Sequence, residues 1–255
     1  MKRFVCHARH VRRVVRAVSE SWWAQAAVVF ALFQLFRVAR IALEGSPSTA
    51  FANALEVIDL ERLFGLYHEE TLQEWLAGSE LWARCWNVFY GFLHDTVGAL
   101  ALIYLWRRSR ERYRFWRNVA GWMLAVGLLG FVAYPITPPR LMPAEFGFVD
   151  TGVEIGGIGP IRGASESGGG NRFAAMPSLH VGRATWVVLA VVPIARRRWS
   201  KSLLVAYPVA MTMATMVTAN HWLIDAFGGV AALGVALALE RGRERVFSRR
   251  PFSPG

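Results

Sequence analysis

Two short stretches decide how this chain folds: residues 175–180 read AMPSLH, and residues 220–225 read NHWLID. Each stands at the start of an apolar run that is long enough to cross a bilayer. Ionisable groups are costly at the edge of a membrane, so His180, His221 and Asp225 are functional candidates. His221 and Asp225 are four residues apart, which predicts that they share one face of a helix.

The rest of the chain is also apolar in long blocks. Of its 255 residues, 54% are hydrophobic, and the mean hydropathy is +0.30, which is more apolar than an average soluble domain. The blocks of bilayer length are 22–43, 81–106, 115–134, 177–195, 202–219 and 221–239. We therefore predict an all-α integral membrane protein in which residues 21–240 form a catalytic bundle of six transmembrane helices.

Positive charge is concentrated in alternate connections between these blocks. The net charge is +11, and basic residues cluster in 1–20, 107–117, 196–201 and 241–255, whereas 44–80 is mainly acidic. This alternation follows the positive-inside rule. It predicts a basic cytoplasmic arm at 1–20 and a basic cytoplasmic tail at 241–255. It also argues against nucleic acid as a partner, because a nucleic-acid binder gathers its basic residues on one folded face.

The acidic connection contains a second, amphipathic pattern. Apolar side chains such as Phe51, Ile58 and Phe64 alternate with charged ones at roughly helical spacing over residues 50–77. The charged positions in the first part are Glu56, Asp59, Glu61 and Arg62. We predict short amphipathic helices at the outer membrane interface, either packed on the bundle or acting as a gate.

Some ionisable residues lie inside the apolar blocks. His94 and Asp95 interrupt the second block, where helix-to-helix hydrogen bonding is the simplest interpretation. Arg37 and Arg40 lie near the outer end of the first block. We predict that their side chains extend to the membrane interface and do not contact a substrate.

The predicted topology brings three separated stretches to one side of the membrane. Arg140 follows the third block, while His180 and the pair His221 and Asp225 begin the fourth and the sixth. A carboxylate that holds one imidazole N–H leaves the other ring nitrogen free to attack, so Asp225 can orient His221 as a nucleophile. His180 can then protonate the leaving oxygen.

The surroundings predicted for these residues suit a phosphate group. The fourth and sixth helices point their N-termini at the site, and free N–H groups there form an anion cradle. Ser178 offers a hydroxyl, Arg183 lies three residues after His180 on the same face, and Arg172 stands in the glycine-rich loop 141–174. Two alternatives remain: a zinc site, which the nearby arginines disfavour, and polar residues that only cap helices. We expect neither a metal nor another cofactor.

At these residues the chain resembles the type-2 phosphatidic acid phosphatase superfamily of membrane enzymes. Residues 177–180, PSLH, resemble its second motif, usually Pro-Ser-Gly-His, and His221 with Asp225 resembles the His-x-x-x-Asp of its third. Leu179 in place of glycine is typical of the branch that includes inositol phosphorylceramide synthases. The resemblance covers about 135–240. It implies a phosphohistidine on His221, formed without metal.

Two departures from the family pattern bear on the substrate. Thr215 stands where the phosphatases carry an arginine six residues before the histidine, and Ala133 stands where the lysine of their first motif would precede Arg140. The phosphate-binding cations are therefore not implied by the resemblance, and Arg140, Arg172 and Arg183 are candidates from the sequence alone. Fewer cations suit a phosphodiester better than a phosphomonoester.

These observations predict an extracytoplasmic membrane enzyme that acts on a phospholipid or another lipid phosphate. It would transfer a phosphoryl or phospho-head group to an alcohol through His221. A lipid phosphate phosphatase with the same site is the alternative within this class. A non-catalytic lipid-binding or transport protein that uses the pocket as an anion site is the alternative outside it.

Overall fold

Helices account for nearly all regular structure in the computed structural model, which describes residues 21–76, 78–156 and 170–248. The predicted arm at 1–20 and the end of the predicted tail, 249–255, lie outside these residues. Within them there is no strand, only one isolated bridge between Ile136 and Ala174. The all-α prediction is confirmed.

The chain divides into two units, residues 1–39 and residues 40–255. The described part of the first unit lies in helix α1 (Trp22–Ala42), which has no acidic residue in its first turn. The α-helices that follow are α2 (Pro47–Leu63), α3 (Glu69–Leu76), α4 (Glu80–Val88), α5 (His94–Arg108), α6 (Arg110–Ala133), α7 (Thr151–Glu154), α8 (Leu179–Val191), α9 (Arg198–Val217) and α10 (Leu223–Ser248). The predicted basic tail thus continues α10 as far as Ser248.

Local sequence signals explain several helix boundaries. The Ser79 side chain accepts a hydrogen bond from the Trp82 N–H at the start of α4, and the Ser109 side chain accepts one from the Arg112 N–H at the start of α6. Helix α6 ends just before Pro135, since the residue before a proline is disfavoured in the helical conformation.

Each predicted apolar block forms a helix. In the part of the chain that the structure describes, four helices are long and apolar enough to cross a membrane: Trp22–Ala42, Glu80–Arg108, Arg110–Ala133 and Leu223–Val246. The second of these joins α4 to α5 through a single π-helical turn, Phe89–Leu93. The helix Leu179–Ile194 is apolar but shorter, and α9 is not among the four. The membrane character is supported, whereas the number of six spans stays a prediction.

Helix α8 is the centre of the second unit and packs against α5, α6, α9 and α10. The buried core between these helices includes Leu105, Trp186, Met211 and Leu233. Away from the histidines, Glu240 ties α10 to α6, because its carboxylate accepts hydrogen bonds from the side chains of Asn118 and Trp122.

A smaller core holds α2 against the loops that carry the site. Ile58 of α2 packs with Ile136 and Trp222. Backbone bonds from Ile136 N–H to Phe173 O and from Thr137 N–H to Ala50 O tie these segments together.

The polarity predicted along α2 is partly reversed in the structure. Glu61, assigned by spacing to the charged side, is fully buried (0% exposed), whereas the apolar Phe64 is 67% exposed. Helical spacing identified the helix correctly. The buried face carries Ile58 as expected, but it also includes Glu61, because Glu61 Oε1 accepts a hydrogen bond from the Ile224 N–H at the start of α10.

Candidate active site

The three residues singled out from the two motifs lie in one row of contacts. Nδ1 of His221 lies 3.3 Å from Oδ2 of Asp225, and Nε2 of the same ring lies 3.4 Å from Nδ1 of His180. His221 is 4% exposed and Asp225 is 0% exposed, so this pair is shielded from bulk solvent. A carboxylate, an imidazole and a second imidazole are thus arranged in the order that nucleophilic catalysis requires.

His221 reaches this position from a turn and not from a helix face. The expectation that His221 and Asp225 share a helix face is wrong in detail, because α10 begins only at Leu223. The turn after α9 contains Ala219 with φ +52°, a left-handed conformation that is uncommon outside glycine. The N–H of His221 donates to Thr215 O at 3.2 Å, which holds the turn against the end of α9.

Asp225 links the two motifs. Its side chain accepts a hydrogen bond from the Trp222 N–H at 3.0 Å, and its backbone oxygen accepts one from the Ser178 N–H at 2.9 Å. The Trp222 indole N–H donates to Thr137 O at 2.9 Å, which also connects the segment after α6. One residue therefore sets the spacing between the stretch before α8 and the start of α10.

Two glycines allow the helices that carry these motifs to approach closely. A Cβ added to Gly229 of α10 would lie 2.1 Å from Ser178 O, and one added to Gly182 of α8 would lie 2.8 Å from Gly229 O. Leu179, which replaces the glycine of the family motif, packs against Gly127 of α6; a Cβ on Gly127 would lie 2.7 Å from its Cδ2.

A second layer of aromatic and polar side chains surrounds His180. The Tyr90 ring stacks on it with centroids 4.3 Å apart, and the His94 ring lies 4.7 Å away. Nδ1 of His94 is 3.1 Å from the hydroxyl of Tyr207, which fixes the ring of this third histidine. Tyr90 lies in the π-helical turn between α4 and α5, a feature that is frequent at functional sites.

Sequence reasoning missed Tyr90 and Tyr207 and gave His94 only a structural role. The polar pair His94 and Asp95 inside an apolar block was the one signal for this layer. Nothing in the spacing of the tyrosines distinguishes them from other aromatic residues of the bundle.

Four arginines that could bind phosphate have different surroundings in the structure. Arg140 is 14% exposed at its side chain, donates from Nε to Asn220 Oδ1 at 2.9 Å, and has Nη1 3.5 Å from Asp150. Arg140 therefore binds the residue next to the proposed nucleophile, because Asn220 immediately precedes His221. The Arg40 guanidinium lies against the loop before α8, because a Cβ added to Gly170 would lie 2.8 Å from its Nη2.

The other two predicted cations pair with carboxylates. Arg183 forms an ion pair with Asp95 across α8 and α5. Arg172 is exposed and pairs with Glu44 at 3.3 Å. The structure therefore brings Arg140 beside the motif residues and places Arg172 at an exposed ion pair.

The N-termini of α10 and α8 differ in how far their polar groups are already hydrogen-bonded. At the start of α10, the N–H groups of residues 222–224 already donate to the carboxylates of Asp225, Glu69 and Glu61. This contradicts the expectation that the sixth apolar helix offers a free anion cradle. At the start of α8, the Ser178 hydroxyl is buried and has no hydrogen-bond partner among the described residues. The expected anion cradle at the start of α8 stays a prediction.

The contacts of Asp225 bear on the zinc alternative, which stays open. Among the residues that the structure describes, no group of three or more His, Cys, Asp or Glu side chains is placed to hold a metal ion. Asp225 contacts His221 and the backbone, which orients an imidazole and does not complete a tetrahedral ligand set.

Comparison with known proteins gives one result. The PAP2 superfamily matches residues 55–239, well over half of the chain and including every motif residue described above. Neither the curated proteins nor the solved structures give a match. Members of the superfamily are generally phosphatases or phosphotransferases that act on phosphate esters. The resemblance seen in the sequence is confirmed at this level, while the inositol phosphorylceramide synthase-like branch stays a prediction. The chain belongs to the PAP2 superfamily.

Proposed function

We propose that this protein is a membrane phosphotransferase that moves a phosphoryl or phospho-head group of a lipid through a phosphohistidine on His221. The observation that carries the proposal is the row Asp225–His221–His180, with contacts of 3.3 Å and 3.4 Å. Membership of the PAP2 superfamily and the apolar helices support a lipid phosphate as the substrate.

In the first half-reaction, Asp225 holds the N–H at Nδ1 of His221, which leaves the lone pair of Nε2 for attack on phosphorus. The Nε2–P bond forms while the bond from phosphorus to the leaving oxygen breaks. His180, on the Nε2 side, enters this step as an imidazolium and gives one proton to that oxygen, so the leaving group departs as an alcohol and His180 becomes neutral.

In the second half-reaction, an acceptor alcohol enters where the first alcohol left. Its oxygen attacks phosphorus, its proton passes to His180, and the Nε2–P bond breaks. His221 and His180 thereby return to their starting protonation states. Water in place of the alcohol would make the same site a phosphatase.

The charges near the site favour transfer of a phosphodiester. Arg140 lies beside the nucleophile through Asn220, Arg40 lies at Gly170 in the loop before α8, and the start of α8 supplies N–H groups and the Ser178 hydroxyl. Arg183 pairs with Asp95 through one Nη while its buried Nε has no partner among the described residues, and Thr215 replaces the arginine of the phosphatases. A singly charged phosphodiester matches this limited set of cations better than a doubly charged monoester.

The test is trapping of the phosphoenzyme by an alkaline detergent quench, which preserves phosphohistidine, with a phosphate-labelled phospholipid in the presence of a strong chelator. We expect acid-labile label on His221, and a new phospholipid when an alcohol acceptor is supplied. Free phosphate as the main product would assign the phosphatase. Label that disappears on chelation and returns with zinc would favour the metal site, and binding of lipid without any label would favour the non-catalytic protein.

We place the site on the extracytoplasmic side and both termini in the cytoplasm, on the positive-inside pattern. In a background without Cys6 and Cys85, a membrane-impermeant thiol reagent should label Glu145→Cys in intact cells, and Arg197→Cys only after lysis. The reverse pattern would move the site to the cytoplasm.

A further inference from the structure

Two glutamates reach the start of α10 from α2 and α3. Oε1 of Glu61 accepts a hydrogen bond from the Ile224 N–H at 2.7 Å, and Oε1 of Glu69 accepts one from the Leu223 N–H at 2.8 Å. Both glutamates are 0% exposed. These N–H groups belong to the first turn of a helix, which has no partners for them within the helix. Segments distant in sequence therefore cap the helix that carries Asp225.

Three carboxylates at one helix start would repel one another if all were ionised. Burial, followed by the charge of Glu69, a side-chain hydrogen bond with Glu69 and then the charge of Asp225, raises the pKa of Glu61 to about 9, against the lowering effect of the Ile224 N–H. The charged groups that face Glu61 are Glu69 from α3 and Asp225 from α10, with His221 beyond Asp225. Glu61 therefore keeps a proton at neutral pH.

The hydrogen bonds of the two glutamates differ. Glu69 uses both oxygens as acceptors, Oε1 from Leu223 N–H and Oε2 from His68 N–H at 3.0 Å. Glu61 uses Oε1 as an acceptor, while its buried Oε2 has no partner, and neither has the buried Oδ1 of Asp225. A neutral Glu61 carries its proton at Oε2, which can then act as a donor. Oδ1 of Asp225, in the same cluster, is an acceptor without a donor.

We propose, on the basis of the function given above, that Glu61 and Glu69 are positioning residues for the nucleophile. The hydrogen bonds that Glu61 and Glu69 accept from the Ile224 and Leu223 N–H groups fix the first turn of α10, so that Asp225 holds His221 in its attacking orientation. Among the described residues, neither glutamate forms a hydrogen bond with His180 or His221. Ionisation of Glu61 adds a further negative charge beside Asp225 and loosens this turn, which makes the site sensitive to alkaline pH.

Substitution by glutamine separates the two positions. At Glu61, an amide oxygen still accepts from Ile224 N–H, and the NH2 group replaces the protonated oxygen as a donor. At Glu69, one amide N–H would face a backbone N–H donor, because both carboxylate oxygens already accept. Glutamine is therefore a conservative change at the first position and a disruptive one at the second.

The kinetic test compares Glu61→Ala, Glu61→Gln and Glu69→Gln, with the exposed neighbour Glu70→Gln as the control. We expect Glu61→Ala to lose about 10–100-fold in kcat with little change in KM, as for other residues that orient a reacting group. Glu61→Gln should restore most of this loss and should not show the fall in kcat that wild type shows as pH rises past about 9. Glu69→Gln should resemble Glu61→Ala, and Glu70→Gln should resemble wild type.

The proposal is overturned if Glu61→Gln is as impaired as Glu61→Ala or does not fold, since the amide should satisfy the same bonds. It is also overturned if wild type shows no alkaline fall, if the fall persists unchanged in Glu61→Gln, or if Glu69→Gln is harmless.

Thermal unfolding separates this proposal from the proposed function. Glu61 ionises at its ordinary pKa of 4.5 when unfolded and at about 9 when folded, so the folded protein holds a proton that the unfolded chain has lost. The free energy of unfolding therefore falls as pH rises from 4.5 to 9. Tm should fall more across this range in wild type than in Glu61→Gln. If it does while no protein forms a phosphoenzyme, the proposed function fails and the protonated Glu61 stands. If the two Tm curves are parallel, the positioning proposal fails even in an active enzyme.

Discussion

His221→Ala is expected to abolish both turnover and covalent phosphate labelling. The substitution removes the nitrogen that would form the bond to phosphorus, and the residue is buried against Asp225 and His180, so no other side chain takes its place. Trapping with labelled phospholipid measures the effect directly. His68→Ala is a matched control, because His68 is exposed and contributes only its backbone N–H to Glu69.

His180→Ala is expected to behave differently, and the difference tests the division of roles. Loss of one general acid typically costs about 10²–10⁴-fold when the leaving group is a poor one such as an alkoxide. A nitrophenyl phosphate ester needs little protonation of its leaving oxygen. This substrate should therefore recover much of the lost rate in His180→Ala and none in His221→Ala.

Asp225→Asn should fall between the two histidine variants, because the imidazole remains but loses the carboxylate that orients it. Rescue by the nitrophenyl ester in His221→Ala, with none in His180→Ala, would reverse the roles of the two histidines while keeping the site.

Much of this site was accessible from the sequence because the motif residues stand at helix starts. The length of the apolar blocks predicts the helices. The alternation of charge places one end of three of these helices on the same side of the membrane. His180, His221 and Arg140 are therefore expected near one another from the sequence alone. The error over the helix face of His221 shows the limit. A four-residue separation fits both a helix and a turn that is closed by the same aspartate.

The rest of the site depends on contacts between segments that the sequence does not relate. Helical spacing placed Glu61 on a charged outer face, and only the position of α2 against the start of α10 shows that it is buried. Burial of a carboxylate is rare, so composition argues against it unless the specific N–H partner is known. Tyr90 and Tyr207 were missed for a similar reason, since aromatic residues are common throughout the apolar helices.

Gly229→Ala is expected to cause a loss of activity approaching that of the histidine variants, although no glycine takes part in the chemistry. The new Cβ would lie 2.1 Å from Ser178 O and 3.1 Å from Gly182 N. Both are backbone atoms, so α8 and α10 must separate. A shift of about 1 Å in catalytic geometry can cost about 10²-fold in rate, and overpacking of this kind costs about 1–3 kcal/mol in stability. The measurements are phosphoenzyme yield, kcat and Tm.

Gly234→Ala is the matched control, because it makes the same change in the same helix, five residues later, where a Cβ meets nothing within 4 Å. Alanine is favoured over glycine inside a helix by about 1 kcal/mol, so this variant should keep its activity and unfold no earlier than wild type. If both variants lost activity equally, the cause would be a general effect on α10. Loss in Gly229→Ala alone assigns it to the distance between Ser178 and Gly229, and hence to the placement of His180 against His221. An active Gly229→Ala enzyme would show that catalysis does not require this close approach.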